Sequence, residues 1–316
     1  MVPSKNQRLK LCEDCTLYGK SDENLDDFDT ILIGNKYDYN SKVTIPANIK
    51  YIYPYSFSGA KIKEIEILPN SKLLCIGDEA YKGSIASFTF PKNIIKIGRG
   101  LNIQKVIFEC GSKLSLFRYM YVYEGSVTIL SDLRPYIIAL FKKYNGERLI
   151  NFIVPSENKR YKSLDNLILY KSKEDSDDFD VLLSASNTSS LKIPSSIKYI
   201  FPYCFFKCNL QKIEFPEDSQ LLSIGEHAFE EVPIETIKIP PHVTEIGDYA
   251  FKFCSKLINV VFPNNSELRS IGREAFYLTS ITSITIPQHV TEIGDSAFYN
   301  TSKKINVVFP NNSELR

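Results

Sequence analysis

The twelve-residue segment INVVFPNNSELR occurs twice, at Ile258–Arg269 and again at Ile305–Arg316, displaced by 47 residues. A chain that repeats itself literally over that distance is built from copies of a module rather than around one closed core. The module is clearest in ITSITIPQHVTEIGDSAF, Ile281 to Phe298. Ile284 and Ile286 flank Thr285, the period-2 pattern of a half-buried strand. Pro287 ends that strand because it has no N–H to continue a ladder. Val290 follows, then Ile293-Gly294, then Ala297-Phe298 in a segment with room for one helical turn. Such a module is too short to bury its own apolar face and needs a neighbour with the same face.

The last apolar residue of each strand gives the count: Ile45, Ile67, Phe90 and Phe108, then Ile193, Phe215, Ile239, Phe262, Ile286 and Phe309. The steps are 22, 23 and 18 residues in the first series and 22, 24, 23, 24 and 23 in the second. A period of about 20–29 residues with one short strand each is the signature of a leucine-rich-repeat solenoid. The fold class expected is therefore an α/β repeat with a continuous parallel sheet on the concave face and short helical turns or loops on the convex face. Two unit types alternate. The Ile of the Ile-Gly position comes six residues after Pro194, Pro240 and Pro287, at Ile200, Ile246 and Ile293, and eight after Pro216 and Pro263, at Ile224 and Ile271. The building block is thus a pair of about 47 residues.

Four segments follow. Residues 1–42 read as a capping hairpin, with apolar runs Leu17-Tyr18 and Ile31–Ile33 around an acidic loop. Residues 43–116 form a first array that degrades, with Arg99-Gly100-Leu101 where Ala-Phe should stand. Residues 117–190 interrupt the period. They hold a candidate strand, Ser126–Leu130, a helix from about Asp132 to Asn145 before Gly146, and a second capping hairpin in which DDFD of Asp26–Asp29 returns at Asp177–Asp180. Ser131-Asp132 offers the helix an N-cap, and Lys142 and Lys143 suit its C-terminal dipole. This helix reads as a spacer packed on the solenoid or as a docking helix. Residues 191–316 are a cleaner second array ending mid-repeat, with Lys304 where an apolar residue is expected.

The pattern L-x-x-I-x-I-P-x-x-V-x-x-I-G-x-x-A-F-x-x-C, best matched by IETIKIPPHVTEIGDYAFKFC at Ile234–Cys254, resembles the BspA-like class of leucine-rich repeats. The resemblance covers roughly residues 43–116 and 191–316. NLILYKSKEDSDDFDVLL, Asn166–Leu183, is similar to the hairpin that opens arrays in protist members. The resemblance implies a surface-antigen or adhesin-like protein-interaction module whose partner is a host or extracellular-matrix protein or another chain. It carries no catalytic residues. It places the chain at a cell surface, whereas MVPSKNQRLKLCEDC lacks the apolar core of a signal peptide and no run of eighteen apolar residues occurs. Cytoplasmic residence, as an intracellular scaffold, is therefore the alternative expectation.

A formal net charge of +1 with 24% charged residues sets up no field for nucleic acid or acidic membranes. No GxxxxGK[ST], GxGxxG, GxSxG or HExxH is present, and no cofactor is expected. His227, His242 and His289 fall at turn positions, two of them equivalent in paired repeats. One enzymatic reading stays open, a glycan-active solenoid using Glu64 and Glu66. Cys12-x-x-Cys15 is half of a zinc pattern without its second half. Cys208 and Cys254 occupy a small-residue site filled elsewhere by Ala60, Ser84, Val232, Thr279 and Thr301. Stacked strands lie about 4.8 Å apart, so thiols two repeats apart are beyond the roughly 7 Å a disulfide spans. Sequons stand at Asn187, Asn264, Asn300 and Asn311. Strand residues alternate between core and surface. The candidate binding positions are therefore Lys192, Lys212, Glu214, Thr236, Lys238, Asn259, Val261, Ser283 and Thr285.

Overall fold

The computed structural model describes residues 8–11, 17–22, 27–33, 41–58, 60, 62–81, 83–109, 111–117, 120–129, 133–145, 150–185, 188–301 and 305–315. Cys12, Cys15, Asp26, Ser131, Asp132, Gly146, Asn187 and Lys304 lie outside them. Two compact units emerge: Met1–Ile137 with Arg148–Asn158, and Ile138–Glu147 with Lys159–Arg316. Both are solenoids of stacked parallel strands, mostly sheet with little helix.

In the second unit each repeat passes through three rows. The strand row holds Ser190–Lys192, Lys212–Glu214, Thr236–Lys238, Asn259–Val261, Ser283–Thr285 and Asn306–Val308. The proline after each strand sits at one place in every repeat, its carbonyl accepting the N–H three residues on: Ile197 to Pro194, Val243 to Pro240, Val290 to Pro287. The second row holds the Ile-Gly segments Tyr199–Ile200, Ser223–Ile224, Glu245–Ile246, Ser270–Ile271 and Glu292–Ile293. The third is the Ala-Phe segment, a run of turns, the loop form of the two alternatives. Its alternate N–H groups reach the next repeat, as in Tyr249 to Arg273 O at 2.8 Å, Phe251 to Ala275 O at 2.7 Å and Phe253 to Tyr277 O at 2.9 Å. Those between close turns within the repeat, as Lys252 does on Tyr249. Tyr249 and Phe253 take φ of 58° to make this geometry, and the same two positions recur at His227 and Glu231.

The expectation of one continuous sheet made by the strand row is corrected. The three-residue strands pair two by two, 190–192 with 212–214, 236–238 with 259–261 and 283–285 with 306–308. The continuous sheet is the Ile-Gly row, eight strands including the opening hairpin. Glycine explains the difference. A Cβ on Gly272 would stand 2.5 Å from Asp248 N, and one on Gly247 2.8 Å from Glu226 N. Without it the backbones close to bonding distance: Gly272 N–H to Ile246 O is 2.7 Å.

The core sits between the rows. Ile213, Ile237, Val260 and Ile284 point inward from the strands, and Ile193 is buried just after the first of them, each worth about 1.5–3 kcal/mol of apolar burial. Phe205, Phe229, Phe251, Phe276 and Phe298 form one column with centroids 4.7–5.4 Å apart and rings within 18° of parallel. Cys208 and Cys254 occupy the buried small-residue site with Ala60, Val232 and Thr279. Ser84 does not: it is exposed and begins the strand Ser84–Phe90, close behind the turn segment whose Tyr81 ring stacks on Phe57.

The first unit repeats the plan less regularly. Its hairpin has three strands, Leu9–Leu11, Leu17–Gly19 and Thr30–Ile33, and its Ile-Gly row continues through Tyr51–Ile52, Cys75–Ile76, Lys96–Ile97 and Leu116–Phe117. Leu116-Phe117 thus stands where no Ile-Gly equivalent was visible. Beyond Ser84–Phe90 and Leu101–Phe108, parallel pairing carries on into Met120–Ile129 and Asn151–Ile153. The segment expected to interrupt the period therefore contributes two strands. The helix runs from Pro135 to Asn145, with proline at its first position, where the missing N–H costs nothing.

The two hairpins share one device, which explains the recurring acidic motif. Asp29 accepts the Ser21 N–H at 2.7 Å and hydroxyl at 2.5 Å; Asp180 accepts the Ser172 N–H at 2.8 Å and hydroxyl at 2.6 Å. Both carbonyls then receive the first repeat, through Lys50 N–H and Lys198 N–H at 2.7 Å.

Candidate binding surface

The residues singled out for binding all stand on the strand row with their side chains exposed. Lys192, Lys212 and Glu214, Thr236 and Lys238, Asn259 and Val261, and Ser283 and Thr285 alternate with the buried residue of each strand. The register sets Lys192 beside Glu214, Thr236 beside Asn259, and Lys238 beside Val261. Lys212 Nζ lies 2.5 Å from Glu214 Oε1 on the same strand. That ammonium, with Lys192 behind it, holds the Glu214 carboxyl below the usual carboxylate range. Beyond this rung Lys238 carries the one charge among the candidate positions, and the others are neutral and short-chained.

In the first unit Lys42 Nζ sits 3.3 Å from both Glu64 Oε1 and Glu66 Oε2. Thr44 adds a hydroxyl bond to Glu66 at 3.1 Å. Glu66 and then Glu64 raise the Lys42 pKa, so the ammonium keeps its proton. The arrangement is a bridged ion cluster on a solvated strand face.

His242 and His289 are equivalents in paired repeats. His242 Nδ1 lies 3.0 Å from Glu267 Oε1, and 47 residues further His289 Nδ1 lies 2.8 Å from Glu314 Oε1. Among the described residues no three His, Cys, Asp or Glu gather as a metal site would require. The described thiols are free. Cys254 donates to Phe229 O at 2.9 Å, and its burial pushes the thiol up to about 12. Burial pushes Cys204 up as well. No helix among the described residues is long and apolar enough to cross a membrane.

The turn row carries a cluster that the sequence reading passed over. Tyr203, His227 and Tyr249 stack at 4.7 and 4.6 Å, with Lys143 of the helix 5.2 Å above the Tyr203 ring. Glu230 and Glu226 flank His227. Beside them Lys252 lies about 5 Å from the rings of Tyr249, Phe253 and Tyr277 and 2.6 Å from Glu274. The steps of 24 and 22 residues between Tyr203, His227 and Tyr249 match those of the Ile-Gly row and could have revealed the column. Lys142, one residue before Lys143, reaches Ala185 O at 2.8 Å and Cys208 Sγ at 3.7 Å.

The BspA type leucine rich repeat region matches residues 34–115 and 181–311 in six copies. Among solved structures, the pneumococcal vaccine antigen PcpA is similar at 19% identity and TM-score 0.52, over 90% of this chain and 68% of that one. A leucine rich cell surface protein of Faecalibacterium prausnitzii is similar at 16% identity and TM-score 0.48, over 98% of this chain and 96% of that one. A leucine-rich repeat protein from Eubacterium ventriosum gives 18% identity and TM-score 0.47, over 80% and 66%. A search among curated proteins gives no match.

Proposed function

The chain belongs to the BspA-type leucine-rich-repeat family, and from that premise we propose that it is a non-enzymatic interaction module of the adhesin or surface-antigen kind. Its concave side is the exposed strand row, where Lys192, Lys212, Glu214, Thr236, Lys238, Asn259, Val261, Ser283 and Thr285 meet a protein partner. The partner is a host or extracellular-matrix protein, or another chain. The organisation into two arrays, 43–116 and 191–316, each opened by a hairpin, gives two presenting surfaces.

The observation that carries this reading is the regular exposure of the strand positions over a fully buried core. Strand pairs fixed on that core present them without the ordering cost a mobile loop would incur. Binding of the purified chain to an immobilised extracellular-matrix extract tests it. The triple variant Lys192→Ala/Lys212→Ala/Lys238→Ala should bind at least tenfold more weakly while melting like the parent. Unchanged binding by the triple variant would remove the strand row from the mechanism. Glycan turnover abolished by Glu64→Gln/Glu66→Gln would replace the reading with an enzyme.

A further inference from the structure

The strand row of the second unit is broken at regular places, and the breaks have a chemistry of their own. Among the described residues no main-chain hydrogen bond joins Lys212–Glu214 to Thr236–Lys238, or Asn259–Val261 to Ser283–Thr285. Both breaks coincide with the 24-residue steps, one residue longer than any paired step of this row. At the second break the repeats are still joined just before the strands, by Ser280 N–H to Leu257 O at 2.9 Å. Beyond that bond the two strands run unpaired with each other.

In parallel strands the bonding groups of successive residues point to opposite neighbours. Asn306 N–H bonds Thr282 O and Ile286 N–H bonds Val308 O, both at 2.9 Å, so the even positions of this strand serve the partner on its far side. Main-chain groups of Ser283 and Thr285 are left facing the seam. From the opposite wall Val260 faces it, because Asn259 N–H and Val261 C=O are engaged with Glu235 and Ile239. A groove of about 510 Å³ lies along this seam, bounded at one end by Pro263, Pro287 and Pro310. The first unit has a counterpart of about 520 Å³ where Ile62–Ile67 and Ser84–Phe90 run side by side in separate sheets.

We propose that the seam between Asn259–Val261 and Ser283–Thr285 is a docking site for an extended peptide segment of a protein partner, held by main-chain hydrogen bonds to Ser283, Thr285 and Val260. The assignment rests on the interaction reading above and narrows it to one place and one mode, addition of a strand to unpaired edges. The donors and acceptors on offer recur every second residue, the spacing another strand presents. Each wall supplies three residues, about 10 Å of strand. No charged side chain lines the groove, so polyanions and ionic ligands find no counter-charge. The short Asn259, Ser283 and Thr285 side chains leave the backbone approachable. The prolines have no N–H, so pairing stops at them and the peptide has one register.

The test is selection of a phage-displayed library of linear nine-residue peptides on the immobilised full chain, followed by an N-methyl scan of the synthetic winner. The expected result is a period of two: N-methylation at alternate residues weakens binding at least tenfold, and at the intervening residues hardly at all. Thr285→Pro removes only a seam-facing N–H and should cost a similar factor; the N-methyl scan on the parent protein decides the question even if that variant misfolds. Failure to recover any peptide, or a winner indifferent to every N-methyl group, overturns the seam. A winner of that second kind that weakens with Lys212→Glu or Lys238→Glu leaves the broader strand-row reading standing. A neutral oligosaccharide that binds the parent and not Thr285→Pro overturns the peptide assignment in favour of a sugar.

Discussion

Phe251→Ala takes the middle ring out of the five-phenylalanine column. The ring is fully buried and lies 5.0 Å from Phe229 and 5.2 Å from Phe276, within 7° and 1° of parallel. Truncating a buried phenylalanine costs about 3–5 kcal/mol in transfer and cavity terms. Two stacked partners, each worth about 0.5–1.5 kcal/mol beyond area, put this site at the upper end. For a unit of this size the melting temperature should fall by roughly 6–20 °C. Phe251→Leu keeps much of the apolar volume and forfeits the stacking, about 1–3 kcal/mol. Lys238→Ala, on an exposed strand position, should stay within about 0.5 kcal/mol. Guanidinium unfolding followed by circular dichroism ranks the three. Because repeats touch only their neighbours, Phe251→Ala should also broaden or split the transition as the repeats on either side uncouple. A loss below about 1 kcal/mol, or one equal to that of Lys238→Ala, would refute the column as a core element.

The remaining expectations are narrower. Burial raises the Asp29 pKa, but hydrogen bonds from the Ser21 hydroxyl and N–H, then Lys50 and Thr30, outweigh it and hold the carboxyl below its ordinary value. A depressed folded value means the carboxylate stabilises the first unit fully well above about pH 3.9, the unperturbed value, and the contribution drains away as acid brings the pH down through the folded value. Asp29→Asn should destabilise at pH 7 by about 1–3 kcal/mol, with the gap to the parent closing in acid melts; a gap constant with pH would sink the argument. Gly272→Ala forces a Cβ to 2.5 Å from Asp248 N and should cost about 1–3 kcal/mol by overpacking, read as a lower denaturant midpoint. Cys254, buried with a thiol pushed up to about 12, should resist alkylation by iodoacetamide in the native protein and react once guanidinium unfolds it.

Spacing made the repeat, the inward and outward alternation and the two hairpins readable from sequence, because each is a one-dimensional property. Ile237 between Thr236 and Lys238, or Asp29 echoed by Asp180, needs no knowledge of what lies across the fold. What escaped reading was pairing. The sequence puts an apolar triplet after every period and so suggests one sheet, yet whether Asn259–Val261 bonds Ser283–Thr285 goes with a step of 24 residues rather than 23. Leu116-Phe117 was invisible for the opposite reason: Phe117 stands at the Ile position beside Ile97 by register while differing from it as a letter. The Tyr203–His227–Tyr249 stack escaped because His227 interrupts the tyrosines as a letter and matches them only as a flat ring in register.

The two rows differ in what they can afford to lose. The Ile-Gly row cannot tolerate a side chain at Gly225, Gly247, Gly272 or Gly294, since an added Cβ would meet the preceding repeat's backbone at 2.4–2.8 Å. That close approach keeps every repeat bonded to the next and makes the row a spine of fixed pitch. The strand row opposes it with repeats of two lengths, the longer carrying two more residues between its proline and its Ile. A fixed spine and a variable face cannot stay in register everywhere. The mismatch is released between pairs and not within them, which is why the unit of sequence duplication is 47 residues rather than half that number. Equalising the two repeat lengths, by deleting Asn264 and Asn265 so that Pro263 and Ile271 stand six residues apart, should join Asn259–Val261 to Ser283–Thr285. Amide exchange would report it as new protection at Ser283 and Thr285, with the Ile-Gly row unchanged. Exchange at those amides as fast as in the parent would show that something other than loop length holds the strands apart.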